Sequence, residues 1–263
     1  MKKITFLSLL LAAGLSINAQ TTETQSVGNN SSFVEVFGGF SMPMGNWSKS
    51  AYNKDDVGGW IPTDAANISA GFAGNGATFG YEGAWFFSKY IGFGGVISYS
   101  SFAIPIKFAD SLSQGYKASF DVDRTTTTVS GAYTMLSVLP GVYFRYPFSD
   151  KFSANVKLLC GFTSATTPNI SVDVEDGGVD DGSFVQLASV ANSLAFMGGL
   201  NLSYNLCSNF AINLQGNYFY SKPDFFIANL NRPVQVGREI FEYNQPLSYM
   251  NFSLGLAYTF GKK

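Results

Sequence analysis

The stretch that decides the fold is YMNFSLGLAYTF, residues 249–260. From Met250 onward every second residue is large and apolar, and the residues between them are small or polar. Successive side chains of a strand point to opposite faces, so this run predicts a β-strand with one apolar and one polar face.

Seven further segments of about ten residues show the same alternation. They span residues 33–42, 78–87, 91–100, 135–146, 152–163, 193–205 and 209–220. Segments of this length and pattern are typical of transmembrane β-barrel strands. We therefore predict an all-β fold, a transmembrane antiparallel up-and-down barrel of about eight strands over residues 33–260. A half-buried soluble sheet shows the same alternation, so an exported soluble barrel or sandwich that binds a lipid or a partner stays open.

The connections between the segments alternate in length. Short turns near residues 88–90, 147–151 and 206–209 alternate with long loops near residues 44–75, 103–132, 167–191 and 222–247. Soluble domains rarely carry four unstructured loops of this length. Outer-membrane barrels have short periplasmic turns and long extracellular loops, so this rhythm favours a membrane barrel with both chain ends in the periplasm.

Residues 1–19 have the features of a signal peptide, because Lys2 and Lys3 precede a short apolar stretch and Ala19 offers a small residue for cleavage. We expect a short periplasmic segment over residues 20–32 and a tail over residues 261–263. Subtracting the two leader lysines from the 16 basic residues leaves 14 against 18 acidic ones, a net charge of −4. No basic stripe points to a nucleic-acid partner. Only 13% of the residues are charged, which favours an outer face that meets lipid.

Aromatic residues concentrate near the short-turn ends of the segments, which predicts a periplasmic aromatic girdle at one membrane interface. They are Trp85, Phe87, Tyr146, Phe152, Tyr204, Phe210, Tyr258 and Phe260.

Four charged residues lie inside the segments, all on the face opposite the apolar row: Glu35, Glu82, Arg145 and Lys157. We expect them in the lumen, the interior of the barrel, because a basic side chain facing lipid costs about 2–4 kcal/mol. The hypothesis is that they form salt bridges at two heights, with Glu35 and Arg145 nearer the short turns and Glu82 and Lys157 farther up. Asn155, Asn201, Asn213 and Gln215 share the same face. The alternative is that each charge is separately hydrated in a wet lumen.

The run 249–260, together with the leader and the turn-loop rhythm, resembles the small outer-membrane β-barrel family of outer-membrane protein A, the eight-stranded barrels of the porin type. The resemblance covers residues 33–260 in layout and implies an outer-membrane location in a Gram-negative bacterium. It also implies insertion by the barrel-assembly machinery, which reads Tyr258 and Phe260 as an assembly signal. The sequence departs from the family pattern where Gly261, Lys262 and Lys263 follow the last aromatic residue.

The chain contains no histidine. Histidine is the usual group that titrates near neutral pH, so Ser-His catalysis and His-ligated metal sites are excluded. Cys160 and Cys207 lie far apart in the predicted layout, so we expect two free thiols and no zinc site. We expect no cofactor and no enzymatic activity, although a carboxylate pair or a lysine base stays open.

The leading interpretation is a structural or binding role through the extracellular loops, with outer-membrane lipid as its surroundings and an extracellular ligand or protein as a partner. The alternative is a narrow porin-like channel for small solutes.

The sequence allows more than one interpretation of several loop features. An acidic run of Asp173, Glu175, Asp176, Asp180 and Asp181 either binds a divalent cation or is simply solvated. Trp47, Tyr52 and Trp60 either contact a partner or pack against other loops. Residues 125–128 predict an extension of the fourth strand, and residues 234–236 and 240–243 predict a hairpin. Pro140, inside the fourth strand, marks either a bulge or a split strand.

Overall fold

A computed structural model describes residues 32–48, 71–106, 109–110, 112–114, 117, 121–149, 151–207, 209–232 and 239–261. The predicted signal peptide, nearly all of the 20–32 segment, the end of the tail, and the loop residues Tyr52, Trp60 and 234–236 lie outside this range. Among the described residues, no helix is both long and apolar enough to cross a membrane.

Eight strands form a closed antiparallel barrel in which each strand pairs with its neighbours along the chain and the last pairs with the first. The barrel strands are β1 (Ser32–Pro43), β2 (Gly76–Phe86), β3 (Ile91–Phe102), β5 (Tyr133–Pro147), β6 (Phe152–Thr166), β9 (Val190–Asn205), β10 (Phe210–Ser221) and β13 (Leu247–Phe260). Each predicted segment falls on one of these strands, with bounds that differ by at most three residues. The predicted up-and-down barrel is confirmed.

Most large apolar residues of the barrel strands point away from the lumen. Phe162 and Leu254 are 66% and 61% exposed, and the predicted apolar rows are exposed throughout except at Met250 and Phe260, which are half-buried. The buried faces of the same strands carry small, polar and charged residues together with fewer large apolar ones, such as Leu139, Leu159 and several aromatic rings. This arrangement reverses that of a water-soluble barrel, whose apolar residues fill the interior.

The two ends of the barrel are built differently. At the turn end, four-residue connections over 87–90, 148–151 and 206–209 join neighbouring strands. The hydroxyls of Ser88 and Ser149 accept hydrogen bonds from the backbone N–H groups of Ile91 and Phe152, which tightens two of these turns. The other end, the loop end, carries the long connections.

Among the described residues, three of the four predicted long loops contain strands, which for the loop over 167–191 corrects the expectation of an unstructured connection. The added strands are β4 (Arg124–Ser130), β7 (Asn169–Asp176), β8 (Val179–Gln186), β11 (Asp224–Arg232) and β12 (Glu239–Asn244). They form one sheet in the order β12-β11-β8-β7-β4, which we name the loop sheet. This order repeats the barrel order β13-β10-β9-β6-β5, so the loop sheet continues five of the eight barrel strands beyond the loop end.

The predicted extension at residues 125–128 is a separate strand, because Gly131 adopts a φ of 92° between β4 and β5. In the last loop, β12 contains the predicted second arm, residues 240–243, and pairs with β11. The predicted first arm, residues 234–236, lies outside the described residues. Strand β5 is neither split nor bulged at Pro140: the pairs Val138–Phe162 and Gly141–Leu159 share one register. Pro140 pairs with Gly95 of β3, and the ladder to β6 is interrupted only at residues 139 and 140. A residue without a backbone N–H explains this gap.

Candidate functional site: the filled lumen and the loop sheet

A buried ion pair crosses the lumen between β6 and β2. The ammonium of Lys157 donates a hydrogen bond to a carboxylate oxygen of Glu82 at 2.5 Å, and both side chains are 0% exposed. Lys157 also donates to Oε1 of Gln215 at 3.1 Å, and the amide of Asn201 donates to the other oxygen of Glu82 at 2.9 Å. The predicted contact between Glu82 and Lys157 is therefore present, and it links four strands.

Glu35 lies beside this pair, since it is the direct cross-strand neighbour of Glu82. Its carboxylate accepts hydrogen bonds from the amides of Asn213 and Gln215, the latter at 2.5 Å. We name Glu35, Glu82, Lys157, Asn201, Asn213 and Gln215 the polar layer. Because Gln215 contacts both Glu35 and Lys157, the layer is one connected network.

Arg145 takes part in contacts other than the expected bridge to Glu35. Its Nε donates to the side-chain oxygen of Asn155 at 2.9 Å, and its guanidinium lies 3.7 Å from the ring centre of Phe86. Among the described residues, Glu82 and Lys157 thus form an ion pair within an amide network, while Arg145 makes a cation–π contact nearer the turn end instead of the expected bridge to Glu35. Alternation placed these charges on the inner face, but it carries no information on which of them meet across the lumen.

Two glycines create the space that the polar layer occupies. A Cβ on Gly255 would overlap the carboxylate of Glu35, and a Cβ on Gly199 would overlap Oδ1 of Asn217 and lie 2.9 Å from Cε of Lys157. Both glycines face the lumen opposite a long polar side chain. In the sequence, both glycines lie on the polar face of a strand. The alternation pattern alone does not distinguish them from the other small residues of that face.

Aromatic rings close the lumen on both sides of the polar layer. Toward the turn end, Phe33 packs against Phe86 and Tyr143 at ring-centre distances of 6.4 and 6.2 Å. Toward the loop end, the ring of Trp47 lies 4.6 Å from that of Phe102, and Tyr249 stacks on a neighbouring ring at 4.7 Å. The described residues therefore form a filled core in which the Lys157–Glu82 pair has no exposed surface.

Trp47 lies deeper in the molecule than expected from the sequence, which left open a partner contact or packing against other loops. It is fully buried in the loop-end mouth of the barrel, within a short 3-10 helix, Gly45–Ser48, that closely follows β1. A second layer of hydroxyls lies below it: Ser41, Thr78, Ser100 and Tyr249 are joined by hydrogen bonds of 2.7 to 3.1 Å.

The acidic run lies on a β-hairpin of the loop sheet rather than in an irregular loop. Asp173, Glu175 and Asp176 belong to β7, Asp180 and Asp181 belong to β8, and Gly177 and Gly178 form the connection with positive φ. Arg124 of β4 lies 3.7 Å from Glu175. In the part of the chain that the structure describes, no group of three or more acidic or cysteine side chains is arranged to hold a metal ion.

The eight girdle aromatics lie on the outward face near the turn end. Phe152 packs against Tyr204 at 4.8 Å, Phe210 against Tyr258 at 5.5 Å, and Tyr258 against Phe260 at 6.4 Å. Trp85 and Phe87 form a similar pair at 6.3 Å. Cys160 and Cys207 are both free and exposed, as expected.

Comparison with protein-family models and with curated proteins found no match. Among solved structures, the chain is similar to Ail, the attachment invasion locus protein of Yersinia pestis, at 16% identity and a TM-score of 0.41, with 88% of this chain and 99% of that chain covered. It is similar to the outer membrane protease OmpT of Escherichia coli at 10% identity and a TM-score of 0.46, with 91% and 100% covered. A major outer membrane protein of Thermus thermophilus matches at 11% identity and a TM-score of 0.44, with 88% and 99% covered. At these values, the function has to be argued from the residues of this chain.

Replacing Lys157 with methionine should destabilise the barrel by about 3–5 kcal/mol, because the carboxylate of Glu82 would remain buried without its cation. The double variant Lys157→Met/Glu82→Gln should recover part of this loss. The measurement is the urea midpoint of unfolding in lipid vesicles. Equal stability of the single variant and the native chain would show that water, rather than Lys157, solvates Glu82.

Replacing Gly199 with alanine should cost about 1–3 kcal/mol, because the new methyl group would displace Asn217 and Lys157 from their buried positions. The adjacent Gly198→Ala is the matched control, since its Cβ would meet only the end of Leu158, at 3.8 Å. Thermal unfolding followed by gel mobility compares the two variants. Equal effects would contradict the tight fit at Gly199.

Proposed function

We propose that this chain is a non-enzymatic, integral outer-membrane β-barrel of a Gram-negative bacterium that presents the loop sheet outside the cell for binding. The observation that carries the proposal is the outward apolar surface of all eight barrel strands. Soluble monomers rarely expose contiguous apolar patches above a few hundred Å². In lipid the same surface is favourable, and a closed barrel leaves no strand edge unpaired in hydrocarbon.

The orientation follows from the two ends of the barrel. Phe260 pairs with Ser32 at the turn end, so both ends of the barrel domain lie on the side of the short turns. An exported chain that inserts from the periplasm keeps these ends there, and the loop sheet then faces outward. The eight girdle aromatics serve as the periplasmic interface, with Tyr258 and Phe260 as the signal for the barrel-assembly machinery. Outer-membrane lipid and this machinery are the proposed partners during insertion.

A binding role is favoured over a channel because the lumen is filled. The polar layer spans it with hydrogen bonds, and aromatic rings lie above and below. Eight strands enclose an interior only wide enough for side chains to occupy. The absence of histidine from the sequence favours a role without acid–base catalysis. Among the described residues, the loop sheet offers an exposed surface to a ligand or protein partner and is held by five barrel strands.

The topology is tested with protease recognition sites inserted at the two ends. A site between Gly177 and Gly178, at the tip of the β7–β8 hairpin, should be cut on intact cells. The matching site between Ser88 and Lys89 should be cut only after the outer membrane is opened. The reverse pattern, or recovery of the chain in the soluble periplasmic fraction, would refute the proposal, and a steady current in planar bilayers would favour the narrow channel.

Arginine at the outward position Leu254 should destabilise the barrel in lipid vesicles by about 2–4 kcal/mol, because it places a charge near the middle of the apolar belt. Thr126→Arg is the matched control, since this residue is exposed on β4 of the loop sheet. Urea unfolding of both variants in vesicles measures the difference. If Leu254→Arg were as harmless as the control, the outward row would not face hydrocarbon.

A further inference from the structure

The short helix Gly45–Ser48, which we name the plug, inserts a single large side chain into the loop-end mouth of the lumen. The indole of Trp47 is 0% exposed and packs edge-on against Phe102 at 4.6 Å and Tyr133 at 5.7 Å. Tyr249 approaches it at 6.4 Å from the opposite wall. The plug therefore closes the mouth with one ring that three barrel strands hold in place.

A second segment holds the plug from above. The backbone N–H of Gly71 donates to the carbonyl of Asn46 at 3.0 Å, and that of Ala73 donates to the carbonyl of Trp47 at 3.0 Å. A Cβ on Gly71 would overlap Cδ1 of the indole and lie 2.8 Å from the carbonyl oxygen of Trp47. Only glycine lets the backbone approach this closely, so the closed position depends on residue 71.

Two features of this closed arrangement cost free energy. Nε1 of Trp47 is buried without a hydrogen-bond partner among the described residues, and an unpaired buried N–H is unfavourable. Phe72, between the two holding bonds, has a φ of 51°, a left-handed conformation that a bulky side chain rarely adopts. Strained backbone of this kind clusters at ligand clamps and switch regions.

We propose that the plug is a displaceable stopper that controls entry from the loop end into the upper lumen. When the plug leaves the mouth, the indole N–H gains water as a partner and the strain at Phe72 is released. The uncovered region is lined by Phe102, Tyr133 and Tyr249 above the hydroxyls of Ser41, Thr78 and Ser100, a mixture suited to small hydrophilic molecules.

The region below the mouth is a dead end rather than a pore. Ser98 lies on the inner face of β3 two residues below Ser100, and its hydroxyl is also buried without a partner among the described residues. Farther down, the polar layer crosses the lumen, and Phe33 and Tyr143 fill the turn end. Opening the plug therefore admits solutes past the hydroxyl layer as far as Ser98, and the polar layer stops them there.

The proposal is tested with a thiol placed under the plug. Ser98→Cys is introduced after Cys160 and Cys207 are changed to serine, and the barrel in vesicles is treated with a small cationic methanethiosulfonate. Labelling should be slow with the native plug and at least about tenfold faster in Trp47→Ala. Trp47→Phe keeps a ring but removes the unpaired N–H, so its rate should not exceed that of the native plug.

A second variant displaces the plug without changing its side chain. Gly71→Ala should speed labelling of the same thiol, whereas Gly38→Ala, whose Cβ would meet open space, should not. Heat-dependent gel mobility verifies that each barrel is folded, and labelling after denaturation verifies that the thiol is intact. Equal labelling rates in folded Trp47→Ala, Gly71→Ala and native barrels would overturn the proposal, as would immediate labelling of the native one.

Discussion

The structure depends on one constraint: the backbone of a strand that faces an apolar surrounding has to satisfy its hydrogen bonds with other strands. Closure of the barrel through the β1–β13 pair meets this constraint, because it removes both free edges. Once the apolar rows occupy the outside, the polar rows have nowhere else to point but into a narrow lumen. The ion pair and the amide network are the consequence, since a buried charge needs a partner.

The alternation of residues predicted the barrel well for a physical reason. A period of two in side-chain direction is local, and a one-residue error would turn a whole row to the wrong face. The strand bounds, the inward charges and the free cysteines followed from it. The contacts across the lumen did not: Gln215 joins Glu35 to Lys157 because opposite walls meet there, and no local pattern reports which walls face each other.

The loops show where sequence patterns lose their predictive value. The composition of residues 125–128 correctly indicated β structure, because threonine favours strands. The partners of these strands were not predictable, since the loop sheet takes its order from the barrel beneath it. The deep burial of Trp47 was not predictable for the same reason. From the sequence, an aromatic residue beside Gly45 and Asn46 is expected in an exposed turn. Its burial depends on the mouth of the barrel, which distant parts of the chain form.

The filled lumen makes the barrel rigid, and the loop sheet presents the proposed binding surface. A polar layer with linked hydrogen bonds fixes the positions of five strands, β1, β2, β6, β9 and β10, and three of these continue into the loop sheet. The barrel beneath the loop sheet thereby fixes its geometry, so the loop sheet does not need a large hydrophobic core of its own. The plug sits between these regions, where the barrel wall ends and the long connections begin. A mobile element at this boundary changes access to the upper lumen while the polar layer below keeps the barrel closed.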